Sequence, residues 1–94
     1  MSIEYGKNPA LSYNKYLKVE DIIKLQETLS EPTSHDELIF IIIHQTYELW
    51  FKQILHEVDA TINWLNENRI FRANHSLRVV LAIEKILVNQ IHIL

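Results

Sequence analysis

The 94-residue sequence contains no cysteine, a single glycine and only two prolines. Without cysteine, the chain can form neither a disulfide framework nor a thiolate metal site. The scarcity of glycine and proline, together with 48% hydrophobic residues, excludes a collagen-like or disordered chain and favours helices. The length allows one domain at most, with a modest core.

Concentrated positive charge and long apolar runs are also missing. The formal net charge is −3 and no Lys or Arg cluster occurs, so we expect no nucleic-acid partner. The longest wholly apolar run covers residues 38–43, whereas a bilayer span needs about 20 residues. The first ten residues lack the apolar stretch of a signal peptide. We therefore expect no membrane association and a cytoplasmic location.

Hydrophobic periodicity predicts an all-α fold, a helical bundle with one short helix and two long antiparallel helices. The short helix is predicted over residues 19–29, and the first long helix over residues 34–66, beginning at a Ser34–Glu37 capping box. After a turn at residues 66–68, the second long helix is predicted from Arg69 onward.

Residues 1–17 are predicted to form an irregular N-terminal arm, because a glycine and a proline break any helix near its start. The arm carries Tyr5, Tyr13 and Tyr16 but has little apolar area to bury against its own body. We expect it to dock on another subunit.

Each long helix carries an apolar stripe that is predicted to face the bundle. The predicted stripe of the first long helix is Phe40, His44, Tyr47, Phe51, Ile54, Val58, Ile62 and Leu65. The predicted stripe of the second is Leu77, Leu81, Val88 and Ile91, flanked by Val80, Ile83 and Leu87. Apolar periodicity continues to Leu94 without a stop signal, so the helix either packs to its last residue or belongs to a longer helix.

His44 is unusual because it interrupts the most apolar part of the chain. It could be a core histidine bonded to the backbone or to Glu48, one turn later. Alternatively it could face a pocket beside Phe40, where the two rings would suit a flat, apolar ligand that carries one N–H. A metal site is not expected, since His44 and Glu48 provide too few ligands and no H-E-x-x-H motif occurs.

The stretch HDELIFIIIHQTYELWFKQILHEVD, residues 35–59, resembles the signature helix of the tryptophan 2,3-dioxygenases, HDE-x-LFII-x-HQ-x-x-ELWFKQIL-x-E. Upstream, LSYNKYLKVEDII resembles the Y-G-x-Y-L segment of the same family, with Asn14 in place of the glycine. The resemblance covers about residues 11–94.

The resemblance implies a cytoplasmic homotetramer that binds haem b and uses O₂ to convert L-tryptophan to N-formylkynurenine. His44 would hydrogen-bond the indole N–H, and Phe40 would pack along the indole and the haem. Tyr13, Tyr16 and Leu17 would belong to an arm that completes a neighbour's active site. The family's axial haem histidine and its substrate-gripping arginine have no counterpart in these 94 residues.

The resemblance therefore predicts an arm over residues 1–17 and, over residues 18–94, the helical segment of a truncated tryptophan 2,3-dioxygenase-like domain. Such a chain would supply the distal side of the pocket and would not be catalytically competent alone. One alternative is a catalytically inactive helical self-association or binding module derived from that family. Another is a plain structural bundle with His44 in its core.

Overall fold

A computed structural model describes residues 11–94, and this part of the chain is helical without strands. The four helices are α1 (Tyr13–Leu17), α2 (Val19–Ile22), α3 (Glu37–Asn66) and α4 (Ile70–Ile91). The all-α prediction with two long helices is confirmed. The chain divides into two compact units, Met1–Leu38 and Ile39–Leu94. Tyr5 lies outside the described residues.

The first unit differs in detail from the predicted irregular arm and single short helix. Residues 13–17 are helical, because the Ser12 hydroxyl caps α1 by accepting from the Lys15 N–H at 3.4 Å. Lys18 then adopts a left-handed conformation with φ 54°, which separates α1 from α2. The helix predicted to reach residue 29 ends at Ile22, since the apolar side chains beyond it are exposed and a short helix without packing is marginal.

The start of α3 is closed by Glu37, but not through the predicted capping box. The Ser34 N–H donates to the Ser30 hydroxyl at 3.0 Å instead of to the Glu37 carboxylate. The Glu37 carboxylate accepts from the Leu29 N–H at 2.9 Å, the Ser30 N–H at 3.0 Å and the Ser30 hydroxyl at 2.7 Å. Glu37 therefore ties residues 29–30 to the first turn of α3.

In the second unit, α3 and α4 pack as an antiparallel pair. Near one end, the Tyr47 hydroxyl donates to the Leu87 carbonyl oxygen at 3.2 Å. Near the other end, the guanidinium of Arg72 lies 4.9 Å from the ring centroid of Trp64. These contacts pair the first half of α3 with the end of α4, and the end of α3 with the start of α4.

The packed faces follow spacings that alternate between three and four residues, as in coiled coils. On α3 the buried or half-buried row is Ile43, Tyr47, Trp50, Ile54, Glu57, Thr61 and Trp64. On α4 the corresponding row is Ala73, Ser76, Val80, Ile83, Leu87 and Gln90. Three of these side chains, Thr61, Ala73 and Ser76, are small and buried, and small side chains allow helix backbones to approach closely.

The predicted stripes were wrong about which faces pair in this chain. Of the predicted α3 stripe, only Tyr47 and Ile54 lie in the packed row, and Phe51 and Ile62 are exposed. The predicted α4 stripe is exposed throughout, at Leu77, Leu81, Val88 and Ile91. The residues predicted to flank it, Val80, Ile83 and Leu87, belong to the packed row instead.

The predicted turn at residues 66–68 is confirmed. Helix α3 ends at Asn66, and Asn68 has φ 58°, a left-handed conformation that asparagine tolerates better than most residues. The Arg69 N–H donates to the Trp64 carbonyl oxygen at 2.7 Å and closes the turn into α4. Within residues 11–94, no helix has the length and apolar character that crossing a membrane requires.

Candidate functional site

Four aromatic side chains follow one another along α3 and are called here the aromatic row: Phe40, His44, Tyr47 and Phe51. The rings of Phe40 and His44 are 4.2 Å apart between centroids and inclined by 36°. His44 and Tyr47 meet at right angles with centroids 6.2 Å apart, and Tyr47 stacks on Phe51 at 6.2 Å. The two separations of 6.2 Å lie within the range of about 4.5–7 Å in which aromatic rings attract, and the Phe40 and His44 rings are closer still.

One hydrogen bond orients the imidazole of His44. Its Nδ1 lies 2.7 Å from the carbonyl oxygen of Phe40, one turn earlier on the helix. A carbonyl oxygen can only accept, so the hydrogen-bond geometry assigns the proton to Nδ1. In the neutral imidazole, Nε2 is therefore left as a hydrogen-bond acceptor.

The row is exposed where a ligand could reach it. Phe40 is 56% exposed, and His44 is exposed as well. The interpretation of His44 as a core histidine is thus wrong about its burial, although its partner is a backbone carbonyl. The alternative partner, Glu48, is not bonded to it. The arrangement presents an apolar ring and one directed acceptor side by side.

Tyr47 links the aromatic row to α4. Its hydroxyl bonds the Leu87 carbonyl oxygen, while the neighbouring Thr46 hydroxyl lies 3.3 Å from Gln90 Oε1. Tyr47 is half-buried, unlike Phe40 and His44. Both ends of the row, Phe40 and Phe51, are therefore exposed, and Tyr47 between them is fixed by the second helix.

The structure brings Phe40 and His44 together, as the sequence predicts. Tyr13, Tyr16 and Leu17 lie in the first unit, on α1. The two tyrosines are 56% and 52% exposed and Leu17 is half-buried. Their role in a neighbouring active site stays a prediction.

Among residues 11–94, no group of three or more His, Asp or Glu side chains is placed to hold a metal ion. In the first unit, hydrogen bonds from the Leu29 N–H, the Ser30 hydroxyl and the Ser30 N–H lower the pKa of Glu37. That carboxylate therefore stays ionised further into the acidic range than an ordinary glutamate does.

Sequence reasoning missed the two contacts that hold the site's scaffold. Tyr47 was assigned to the packed stripe, but its partner, a carbonyl 40 residues later, has no sequence signature. The contact of Arg72 and Arg69 with Trp64, at 4.9 and 5.9 Å from its ring centroid, was not predicted from the sequence either. The only sequence signal for this arginine–tryptophan contact is that Arg69 and Arg72 follow Trp64 closely in the chain, at the start of the next helix.

Fold and site together define an all-α chain with an exposed aromatic–imidazole face on a long helix. The family model described as tryptophan 2,3-dioxygenase matches residues 2–94, nearly the whole chain. The chain belongs to the tryptophan 2,3-dioxygenase family.

Individual relatives agree with this assignment. The tryptophan 2,3-dioxygenase of Herpetosiphon aurantiacus is 49% identical over 85 residues, which cover 90% of this chain and 33% of the relative. That of a Nocardioides species is 44% identical over 97 residues, covering 98% of this chain and 36% of the relative. The tryptophan 2,3-dioxygenase of Dictyostelium discoideum is 39% identical over 97 residues, which cover 87% of this chain and 22% of the relative. The chain thus spans about a third or less of the length of these relatives.

Proposed function

We propose that this chain forms the distal side of the active site of a haem-dependent tryptophan 2,3-dioxygenase. The reaction would convert L-tryptophan and O₂ to N-formylkynurenine, the first step of the kynurenine pathway. The observation that carries the proposal is the acceptor Nε2 of His44 beside the exposed ring of Phe40. The remaining parts of the site would come from sequence outside these 94 residues.

The indole of tryptophan has the chemistry that this face accommodates. It is flat and apolar, and its only polar group is an N–H donor. Because the bond to Phe40 O commits Nδ1 to donation, Nε2 can accept from the indole N–H. Phe40 can pack along the ring, so the pair would fix both the plane and the orientation of the substrate.

The residues present also suit the distal side of a haem. Phe40 offers an exposed apolar ring on which a flat macrocycle can pack, and His44 provides a polar group directed by its backbone bond. When bound, haem supplies the iron that activates dioxygen. By family resemblance, the axial histidine lies outside residues 1–94, and His44 acts toward the substrate instead of the metal.

The exposed tyrosines of α1 support an exchange between subunits. Tyr13 and Tyr16 present more than half of their surface, and Leu17 continues the same short helix. We propose that these residues reach the active site of a neighbouring subunit in a cytoplasmic homotetramer. Large exposed apolar side chains on α3 and α4, including Phe51 and Leu81, support association through the long helices as well.

A catalytically inactive self-association module is not favoured, since the relatives matched over most of the chain are named as dioxygenases. The test is tryptophan turnover by the natural polypeptide that carries this chain, with the 94-residue chain measured in parallel. We expect N-formylkynurenine from the former only. If the 94-residue chain alone bound a histidine-ligated haem and turned over tryptophan, the proposal that part of the site lies outside this chain would be wrong. If neither the natural polypeptide nor the 94-residue chain turned over tryptophan, the proposed activity would be wrong.

A further inference from the structure

Tyr47 contacts both the imidazole of His44 and the second long helix. Its ring meets the imidazole at 90° with centroids 6.2 Å apart. Its hydroxyl donates to the Leu87 carbonyl oxygen at 3.2 Å. It is therefore the point at which the orientation of His44 can depend on α4.

We propose that Tyr47 is a positioning residue that holds the His44 imidazole in the rotamer and tautomer with Nε2 directed outward as an acceptor. This inference rests on the proposed function for its catalytic meaning, but its structural part stands on the contacts within the chain. Tyr47 would not touch the substrate; it acts through His44.

The physical reason is that a single hydrogen bond does not lock an exposed imidazole. The bond from Nδ1 to Phe40 O leaves the far edge of the ring free to move, and His44 is exposed. Phe40 precedes His44 on the helix and Tyr47 follows it, and their ring centroids lie 4.2 and 6.2 Å from the centroid of the imidazole. Phe40 is itself exposed, whereas Tyr47 is half-buried and bonded to α4. The rigid support of the imidazole therefore comes from Tyr47.

The Tyr47 hydroxyl is needed to fix the position of the tyrosine ring, which packs against His44 on one side and Phe51 on the other. Phe51 stacks on it with an interplanar angle of 13°, and Phe51 is 44% exposed. Packing against the exposed ring of Phe51 does not by itself fix the position of the Tyr47 side chain. The bond to Leu87 O fixes its position, as a buried or half-buried tyrosine hydroxyl normally finds a partner.

The chain offers a matched control next to Tyr47. The Thr46 hydroxyl also contacts α4, lying 3.3 Å from Gln90 Oε1 while it donates to the Ile43 carbonyl oxygen at 2.8 Å, but Thr46 has no ring contact with His44. Thr46→Val removes a polar contact between the two helices at almost the same place. An effect of Tyr47→Phe that exceeds that of Thr46→Val therefore reports on His44 and not on helix pairing.

The experiment compares the wild-type chain with Tyr47→Phe, Tyr47→Leu and Thr46→Val by NMR of the His44 ring nitrogens. We expect wild type and Thr46→Val to show the tautomer protonated at Nδ1, Tyr47→Phe to show partial mixing and Tyr47→Leu a mixture of both tautomers. If both Tyr47 variants retain the wild-type tautomer, or if Thr46→Val mixes them equally, the inference is overturned.

A second measurement separates this inference from the proposed function. In the haem-loaded natural polypeptide, the Kd for L-tryptophan should rise about three- to tenfold in Tyr47→Leu, because one hydrogen bond is weakened, with a smaller rise in Tyr47→Phe. Mixed tautomers with an unchanged Kd would support the positioning of His44 but contradict its role toward the indole. An unmixed tautomer with a raised Kd would contradict the positioning itself.

Discussion

The Nδ1 of His44 lies 2.7 Å from the carbonyl oxygen of Phe40, so the residue that presents the apolar ring also directs the imidazole beside it. The two side chains lie one turn apart on α3, and their relative placement depends on helix geometry instead of on a loop. The acceptor at Nε2 and the flat surface of Phe40 are therefore presented side by side. Rigid helical scaffolding of this kind is what directed recognition requires.

The loop before α3 should loosen in acid because of Glu37. Its carboxylate accepts three hydrogen bonds from Leu29 and Ser30, which lower its pKa in the folded state. A lowered folded-state pKa means that this contribution to stability is present above the ordinary carboxyl pKa and is lost as pH falls through the lowered value. Amide exchange at Leu29 and Ser30 should accelerate, relative to intrinsic rates, over that acidic range.

Glu37→Gln should produce the same faster exchange already at neutral pH, because a neutral amide is a weaker acceptor. Asp36→Asn is the matched control, since Asp36 is exposed, adjacent and not part of this network. Equal protection of the Leu29 amide in wild type and Glu37→Gln would contradict the role assigned to the carboxylate.

The contact between Arg72 and Trp64 should stabilise the turn end of the helix pair. The guanidinium lies 4.9 Å from the ring centroid, within the range of a cation–π interaction. Arg72→Ala should lower the free energy of unfolding by about 0.5–1 kcal/mol, measured by chemical denaturation. Arg78→Ala, an exposed arginine on the same helix, should change it by less than about 0.5 kcal/mol. Equal losses in the two variants would argue against the ring contact.

Alanine substitutions on α4 should distinguish its packed face from its exposed face. Ile83 is only 3% exposed, whereas Leu81 is 56% exposed. Ile83→Ala should lower the free energy of unfolding of the chain by about 2–5 kcal/mol, because it leaves a cavity between the long helices. Leu81→Ala should cost less than about 0.5 kcal/mol in the monomeric chain. Denaturant titration of both variants checks the assignment, and a reversed order would show that α4 packs through the other face.

The sequence predicted the two long helices and the turn between them because uninterrupted periodicity and an asparagine pair are strong local signals. It did not identify the faces that pair. The pattern singled out large side chains such as Leu77 and Leu81, whereas the packed row includes Ala73 and Ser76, whose small size permits close approach. Hydrophobicity ranks the large residues higher, so periodicity alone cannot decide between two apolar stripes.

The candidate site was partly predictable for a similar reason. Neighbouring positions on one helix face brought Phe40 and His44 together, and family resemblance suggested their roles. The carbonyl partner of Nδ1 was among the alternatives, but exposure of the ring was not predictable from an apolar neighbourhood. The Glu37 bonds to residues 29–30 and the Tyr47 bond to α4 depend on how the chain folds back, which local patterns do not encode.

The central claim, that His44 accepts the indole N–H, is tested most directly by substrate affinity in the haem-loaded natural polypeptide. The probes are L-tryptophan and the analogue in which sulfur replaces the indole N–H, and the variants are His44→Ala and the matched control His56→Ala, an exposed histidine on the same helix. His44→Ala should raise the Kd for L-tryptophan up to about tenfold, the value of one hydrogen bond, and change that for the analogue much less. His56→Ala should change neither. An equal loss for both ligands in His44→Ala, or no loss for either, would contradict the claim.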